Sequence, residues 1–366
     1  MADSKTDSTV AFIRDELRDE ISLSRKERRS GQINKSRRTL GEVTYNAGYS
    51  EEFVIECAKK LRKKPLSIKE YEQLQNALLQ SQDHINAFFK ISCSFDGLVR
   101  DLSSKSTHAK LGAVSCCCNL SLGNSKACGA LCKFAAPYLL HELEGSNISI
   151  TEACLWTIGN MASESEKAFK ILHAQKCIKS LTNLAHRCSD ELMPAVSYAC
   201  LRYMRAGAGQ IEVSDMTKLG DVVSTRYPKV SDVDTSWLLA VLSSTEECSN
   251  QILTCMPAVL SFIIKAVFNK DESIEKISAA LRILCNTVSE PSGQVAHSLL
   301  NNSSEDTKAF FDKLLSHPSV HIQQETLWLI GNLCNHGLNS VQHTIKSLIF
   351  TVPSLSLAVK SFDPGV

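Results

Sequence analysis

Apolar positions recur every three or four residues through much of the chain, the spacing of one face of a helix. Val10, Ile13, Leu17 and Ile21 do so within a mixed-charge stretch and predict a short amphipathic helix with no core of its own. After an apolar patch at Phe53, Val54, Ile55 and Cys57, the pattern resumes with Tyr71, Leu74, Leu78, Ile85, Phe88, Phe89 and Ile91, and turn residues follow near 94–97. Farther along, the spacing predicts short helices over 166–174 and 177–187 and a long one over 190–204. Gly, Asp and Ser crowd residues 207–234, where an irregular unit is expected.

One short stretch occurs in two near-copies. Glu152-Ala153-Cys154-Leu155-Trp156-Thr157-Ile158-Gly159-Asn160 is matched by Glu325-Thr326-Leu327-Trp328-Leu329-Ile330-Gly331-Asn332. In each, Trp and Asn stand four residues apart, which on a helix stacks them on one face. Degraded copies put Ser115 with Asn119, Arg202 with Ala206, Trp237 with Val241 and Arg282 with Asn286. The Trp-place positions 115, 156, 202, 237, 282 and 328 are about 43 residues apart on average, the period of repeats built from two or three helices. The pattern predicts an all-α helical solenoid.

Composition narrows the picture further. The 15 cysteines are odd in number and sit mostly in apolar helical runs such as Cys116-Cys117-Cys118, so buried reduced thiols are expected rather than a disulfide scaffold. The most apolar run, 252–268, is interrupted by Pro257 and Lys265, and 347–359 contains Pro353; neither offers the ~20 uninterrupted apolar residues of a membrane span. The chain therefore reads as soluble.

Charge is unevenly distributed. Residues 24–38 carry Arg25, Lys26, Arg28, Arg29, Lys35, Arg37 and Arg38 against Glu27, a balance of +6 in a chain whose net charge is +1. A basic arm thus precedes a mildly acidic body, and a tethered arm meets such a body at high effective concentration. A solvated charge run or a nucleic-acid arm is the plain alternative, but no zinc-finger spacing or aromatic–basic strand motif accompanies it. A second cluster, Lys59-Lys60-Leu61-Arg62-Lys63-Lys64, ends at Pro65 and reads as the polar end of a helix.

A Trp-Asn face has a definite chemistry. Indoles wall a slot for the aliphatic stem of Lys or Arg, and their π-faces attract its charge. An Asn amide both donates and accepts, so it can grip the main chain of an extended peptide. The expected groove residues are Asn119, Glu152, Trp156, Asn160, Trp237, Arg282, Asn286, Glu325, Trp328 and Asn332. Burial of the indoles between units is the structural alternative, although a buried Asn needs a partner every time.

These repeats resemble those of importin-α, the armadillo adaptor for nuclear localisation signals, and Arg25 to Arg38 resembles its importin-β-binding arm. The order of exceptions is similar too: a unit with Trp but no Asn (Trp237, Val241), one with Arg in the Trp place (Arg282, Asn286), then an intact pair (Trp328, Asn332). The resemblance implies an armadillo-repeat, right-handed superhelical solenoid with a disordered or helical basic arm. It divides the chain into an arm over 1–45, first helices over 46–100 and about six repeats over 101–366, the last of them either whole or incomplete. It also implies an importin-β-like receptor and basic cargo peptides as partners, in cytoplasm and nucleus.

Departures matter here. Of the three consecutive Trp-Asn pairs that form the family's main cargo site, the corresponding units hold Ser115 with Asn119, Trp156 with Asn160, and Arg202 with Ala206. Arg202 is expected to repel a cationic ligand or fill its slot. A divergent relative fits this pattern, and the alternative is an armadillo scaffold that has lost signal recognition. No phosphate loop, nucleophile elbow or metal-ligand spacing points to an enzyme, a cofactor, a metal or direct nucleic-acid binding; Cys128 and Cys132, one turn apart, make too few ligands for a metal by themselves.

Overall fold

The computed structural model describes residues 37–41, 48–91, 94–269, 271–301 and 304–355. The amphipathic segment at 10–21 and arm residues Arg25, Lys26, Arg28, Arg29 and Lys35 lie outside the described residues. Within them the chain is all helix and turn. The helices are α1 (Glu51–Lys63), α2 (Ile68–Gln80), α3 (Gln82–Phe89), α4 (Ser94–Leu102), α5 (Thr107–Leu120), α6 (Ser125–Glu142) and α7 (Ile148–Glu164). Then come α8 (Glu166–Ala174), α9 (Cys177–Arg187), α10 (Met193–Ala206), α11 (Val213–Arg226), α12 (Val233–Leu242) and α13 (Ser249–Ala266). The last are α14 (Ile274–Thr287), α15 (Gln294–Leu300), α16 (Ser304–Leu315), α17 (Val320–Cys334) and α18 (Asn339–Ile349).

The helices form two rows. Helices α2, α5, α7, α10, α12, α14 and α17 pack each against the next as one inner row. The others form an outer row, with α1 on α4, α4 on α6, α6 on α8, α9 on α11, α11 on α13 and α15 on α18. This is the quasi-one-dimensional packing of a solenoid, in which each unit contacts only its neighbours. Inner helices start where the sequence supplies a cap: Ser67, Ser106, Asn147, Asp232 and Ser273 each accept a bond from a backbone N–H of the first turn. At α2 the cap is reciprocal, with Glu70 Oε2 accepting from Ser67 N at 2.9 Å.

Short helices α8 and α9 fall where the apolar spacing places them. Two other units differ, because each replaces the expected pair of short helices with one 18-residue helix, α6 through Pro137 and α13 through Pro257. A proline costs an interior helix one backbone bond, and here burial on both flanks, by Ala135, Ala136 and Leu139 in α6 and by Cys255, Met256 and Val259 in α13, outweighs it. Residues 207–234 hold a regular α11 where an irregular unit is expected, and the unit is short because this single outer helix has 14 residues against 18 in α6 and α13.

The continuity of α13 also corrects the estimate of its apolar length. With the preceding 3₁₀ turn it makes a 21-residue segment, Glu246–Ala266, of mean hydropathy 1.2, the one helix among the described residues long and apolar enough to cross a membrane by length and composition. It packs against α11, α14 and α15 within the solenoid.

One apolar core runs the length of the stack, through residues such as Leu74, Phe88, Leu120, Leu155, Tyr203, Leu239, Leu281, Phe311 and Leu329. Every described cysteine is a free thiol, all buried except the half-buried Cys188 and Cys334. Burial pushes Cys118, Cys128 and Cys132 up to about 12, which keeps them protonated and inert. Among the described residues no group of three or more His, Cys, Asp or Glu is placed to hold a metal ion.

Candidate functional site

The site begins with the Asn ladder. Each Asn reaches back to the preceding inner helix or its C-terminal cap: Asn119 Nδ2 donates to Gln75 O at 2.8 Å, Asn160 Nδ2 to Ser121 Oγ at 3.0 Å, Asn286 Nδ2 to Ala240 O at 3.2 Å and Ser243 Oγ at 2.9 Å, and Asn332 Nδ2 to Cys285 O at 2.7 Å. Of these acceptors, Ala240 O and Cys285 O are among the last four carbonyls of their helices, which have no partner within the helix. The spacing argument for the ladder does not reveal this inter-unit role.

In the first units the same amides hold the chain's own arm. Leu40 N donates to Asn119 Oδ1 at 3.0 Å, and Asn119 Nδ2 donates to Leu40 O at 2.7 Å. One unit on, Arg38 N donates to Asn160 Oδ1 at 3.1 Å and Asn160 Nδ2 donates to Arg38 O at 2.8 Å. Alternate arm residues meet successive inner helices, as an extended chain with a two-residue period should. The arm runs opposite to the order of the units: Arg38 lies at α7, Leu40 at α5 and Gly41 at α2. Gly41 has φ +103°, a backbone conformation that side-chain-bearing residues rarely adopt, so glycine suits this crossing beneath the Asn76 and Gln75 side chains.

The two arginine side chains diverge. Arg37 Nη1 donates to Ser121 O at 3.0 Å and Gly123 O at 2.8 Å, with Glu164 Oε2 3.6 Å away. It is a cation at the negative end of α5, strengthened by a carboxylate. Arg38 pairs with Asp234 and lies 5.3 Å from the centre of the Tyr198 ring. Tyr198 OH donates to Asn160 Oδ1 at 2.6 Å and accepts from Arg38 N at 3.3 Å. Burial raises the Asp234 carboxyl above its usual range, while Arg38 pulls it back down. Gly159 makes room for this arrangement, because a Cβ there would sit 2.6 Å from Tyr198 Cε1.

Arg202 departs from its expected behaviour. It is buried, 5.1 Å from the centre of the same Tyr198 ring and within the field of Asp234, and Arg38 docks beside it instead of being excluded. The Tyr198 ring and the Asp234 carboxylate, which both arginines share, offset the repulsion between the two guanidinium groups. Glu152 is half-buried one turn before Trp156; burial and Glu191 raise its carboxyl, and Arg38 lowers it.

The remaining residues fall into two groups. Trp156 and Trp328 are half-buried on the inner row, whereas Trp237 is 8% exposed and part of the core rather than an open wall. In the later units Arg282 is buried and ion-paired with Glu325 across α14 and α17, so its charge is already engaged. Thus the structure brings Asn119, Asn160, Arg37 and Arg38 together, and places Arg282, Asn286, Glu325, Trp328 and Asn332 in a separate later stretch. Tyr198, Asp234, Glu164 and Leu40 belong to the first cluster but not to the expected set. Tyr198 lies one turn before Arg202, an aromatic on the face where an indole is missing, and that is the sequence clue to it.

The described residues thus define an all-α helical-repeat solenoid with an inner ladder of Asn side chains. No protein-family model matches the chain. In sequence it is 21% identical over 257 residues to importin subunit alpha-9 of Arabidopsis thaliana, across 68% of this chain and 48% of that protein, so it spans about half the relative's length. Among solved structures, an engineered protein superposes with a TM-score of 0.61 at 17% identity, covering 76% of this chain and 67% of the other. A designed armadillo repeat protein in complex with the peptide (KR)4 gives a TM-score of 0.41 at 17% identity, over 76% of this chain and 98% of the other.

Proposed function

We propose that this chain is a nuclear-import-type adaptor: its inner row binds extended basic peptides such as nuclear localisation signals, and its arm binds an importin-β-like receptor. The observation that carries this is the gripping of Arg38 and Leu40 by main-chain bonds to Asn160 and Asn119, with both arginine side chains in anionic slots. Main-chain bonds give affinity for any extended segment, and the flanking slots select cations. The sequence relation to an importin subunit α supports the receptor half of the proposal, as does the run of Arg25, Lys26, Arg28, Arg29, Lys35, Arg37 and Arg38. Such an adaptor works in both cytoplasm and nucleus, and receptor binding to the arm frees the groove for cargo.

The substitutions Ser115 and Arg202 favour a second reading, an armadillo scaffold whose groove serves only its own arm or a non-import partner. Pull-down of purified importin-β by the full chain separates the two. The adaptor reading expects capture that is lost when Arg28 and Arg29 are both changed to Glu; capture indifferent to that reversal refutes it.

A further inference from the structure

The docked arm is read at positions that differ in chemistry. Arg37 and Arg38 each find a carboxylate, Glu164 and Asp234. Thr39 is exposed. Leu40, held on both sides of its peptide by Asn119, is half-buried and packed against the apolar core. Its neighbourhood explains why an aliphatic residue sits there. Helix α5 contains no Asp or Glu, and one turn before Asn119 it carries the buried Ser115 where α7 carries Trp156. Unlike Arg37, which reaches the carbonyls past the C-terminal end of α5 and Glu164 of α7, a cation at position 40 would have neither an indole wall at Ser115 for its stem nor a carboxylate from α5 for its charge, and would give up water for an apolar surface.

The slot for Arg38 is selective in a different way. A planar guanidinium lies over the Tyr198 ring while pairing with Asp234, a combination that an ammonium reproduces poorly.

From these contacts we infer that the groove's ligand is an Arg-Arg-x-aliphatic peptide lying antiparallel to the order of the units, with Ser115 and Asn119 setting the aliphatic preference, rather than an uninterrupted run of cations. This rests on the inner row being a peptide groove, and the experiment separates the two claims. A full chain with Arg37, Arg38 and Leu40 all changed to Ala empties the groove of its own arm. Fluorescein-labelled peptides spanning residues 35–44 are then titrated by anisotropy, in the native sequence and with Leu40→Lys or Leu40→Ile.

The native and Ile peptides should bind alike, and the Lys peptide about tenfold more weakly, from the loss of half a buried side chain. A Lys peptide that binds as well as the native one overturns the aliphatic preference while leaving the groove intact. If no peptide binds, the groove assignment falls as well. Should the triple variant misfold, the full chain with the single change Leu40→Lys serves instead: its Arg38 amide should exchange with deuterium about tenfold faster, and an unchanged rate overturns the inference.

Discussion

Asn160 is where the arm, the ladder and the third inner helix meet, and Asn160→Ala is the sharpest test of how the arm is held. The substitution deletes the bond from Arg38 N at 3.1 Å and the bond to Arg38 O at 2.8 Å. At about 1 kcal/mol net for each neutral bond, docking loses about 2 kcal/mol, which raises the undocked fraction about 30-fold. A second cost falls on the fold rather than on docking. Tyr198 OH loses its acceptor at 2.6 Å in a residue that is 1% exposed, and Ser121 Oγ loses the staple at 3.0 Å. A buried hydroxyl stripped of its partner costs about 1–3 kcal/mol.

Hydrogen–deuterium exchange resolves the two costs, because the amide of Arg38 is itself a donor in the docked state and reports docking directly. Its exchange should accelerate about 30-fold in Asn160→Ala, while core amides of α5 and α7 shift only by the loss of global stability. Asn332→Ala is the control, since it removes a comparable staple to Cys285 O at a distance from the arm. If Arg38 exchange changes less than about threefold in Asn160→Ala, or rises equally in Asn332→Ala, the amide grip is not what holds the arm.

Two further predictions concern neighbouring groups. Burial raises the Asp234 carboxyl and docked Arg38 lowers it, so docking favours the ionised form; arm affinity should be full above the carboxyl's raised pKa and fall on acidification through it, by at most tenfold per pH unit. Exchange at Arg38 measured against pH should show this fall above the ordinary aspartate value of about 3.9, and Asp234→Asn should flatten it; an identical profile in that variant counts against the charge pair. The two tryptophans should divide their effects: Trp237→Ala, at a position 8% exposed, should cost about 3–5 kcal/mol of stability by denaturant melts, whereas Trp156→Ala, half-buried beside Asn160, should cost less stability but weaken a bound basic peptide more. Equal peptide losses in the two variants would contradict this division.

Much of the architecture is legible because repeats restate it. The i, i+4 pairing of Trp156 with Asn160 and of Trp328 with Asn332 locates α7 and α17 and their exposed face, and the apolar spacing of 166–174 and 177–187 gives α8 and α9. What escapes is information that no local period carries. Pro257 reads as a break, yet flanking burial keeps α13 whole, as it keeps α6 whole around Pro137. Trp237 reads as a wall like the others, but with Val241 in the Asn place nothing polar draws its face toward the groove, and it sinks into the core. Tyr198 acts on Arg38 from 160 residues away in sequence, and Asp234 lies in the polar first turn of a helix whose later positions are all apolar, so neither stands out until the units are stacked.

The same stacking explains why an amide, and no other side chain, recurs in the ladder. Asn160 fills its whole bonding capacity: the oxygen accepts from Arg38 N and Tyr198 OH, and the nitrogen donates to Arg38 O and Ser121 Oγ. A carboxylate could accept from the first two but would repel the carbonyl of Arg38, and a hydroxyl has a single proton to share between two acceptors. Because one of those bonds runs to the preceding inner helix, the amide stays oriented when the arm departs, and a second extended chain meets donors and acceptors already in place. Binding then costs little reorganisation of the groove. The same economy ties recognition to stability, so that in this fold a ladder residue cannot be changed to alter the ligand without also loosening the joint between two units.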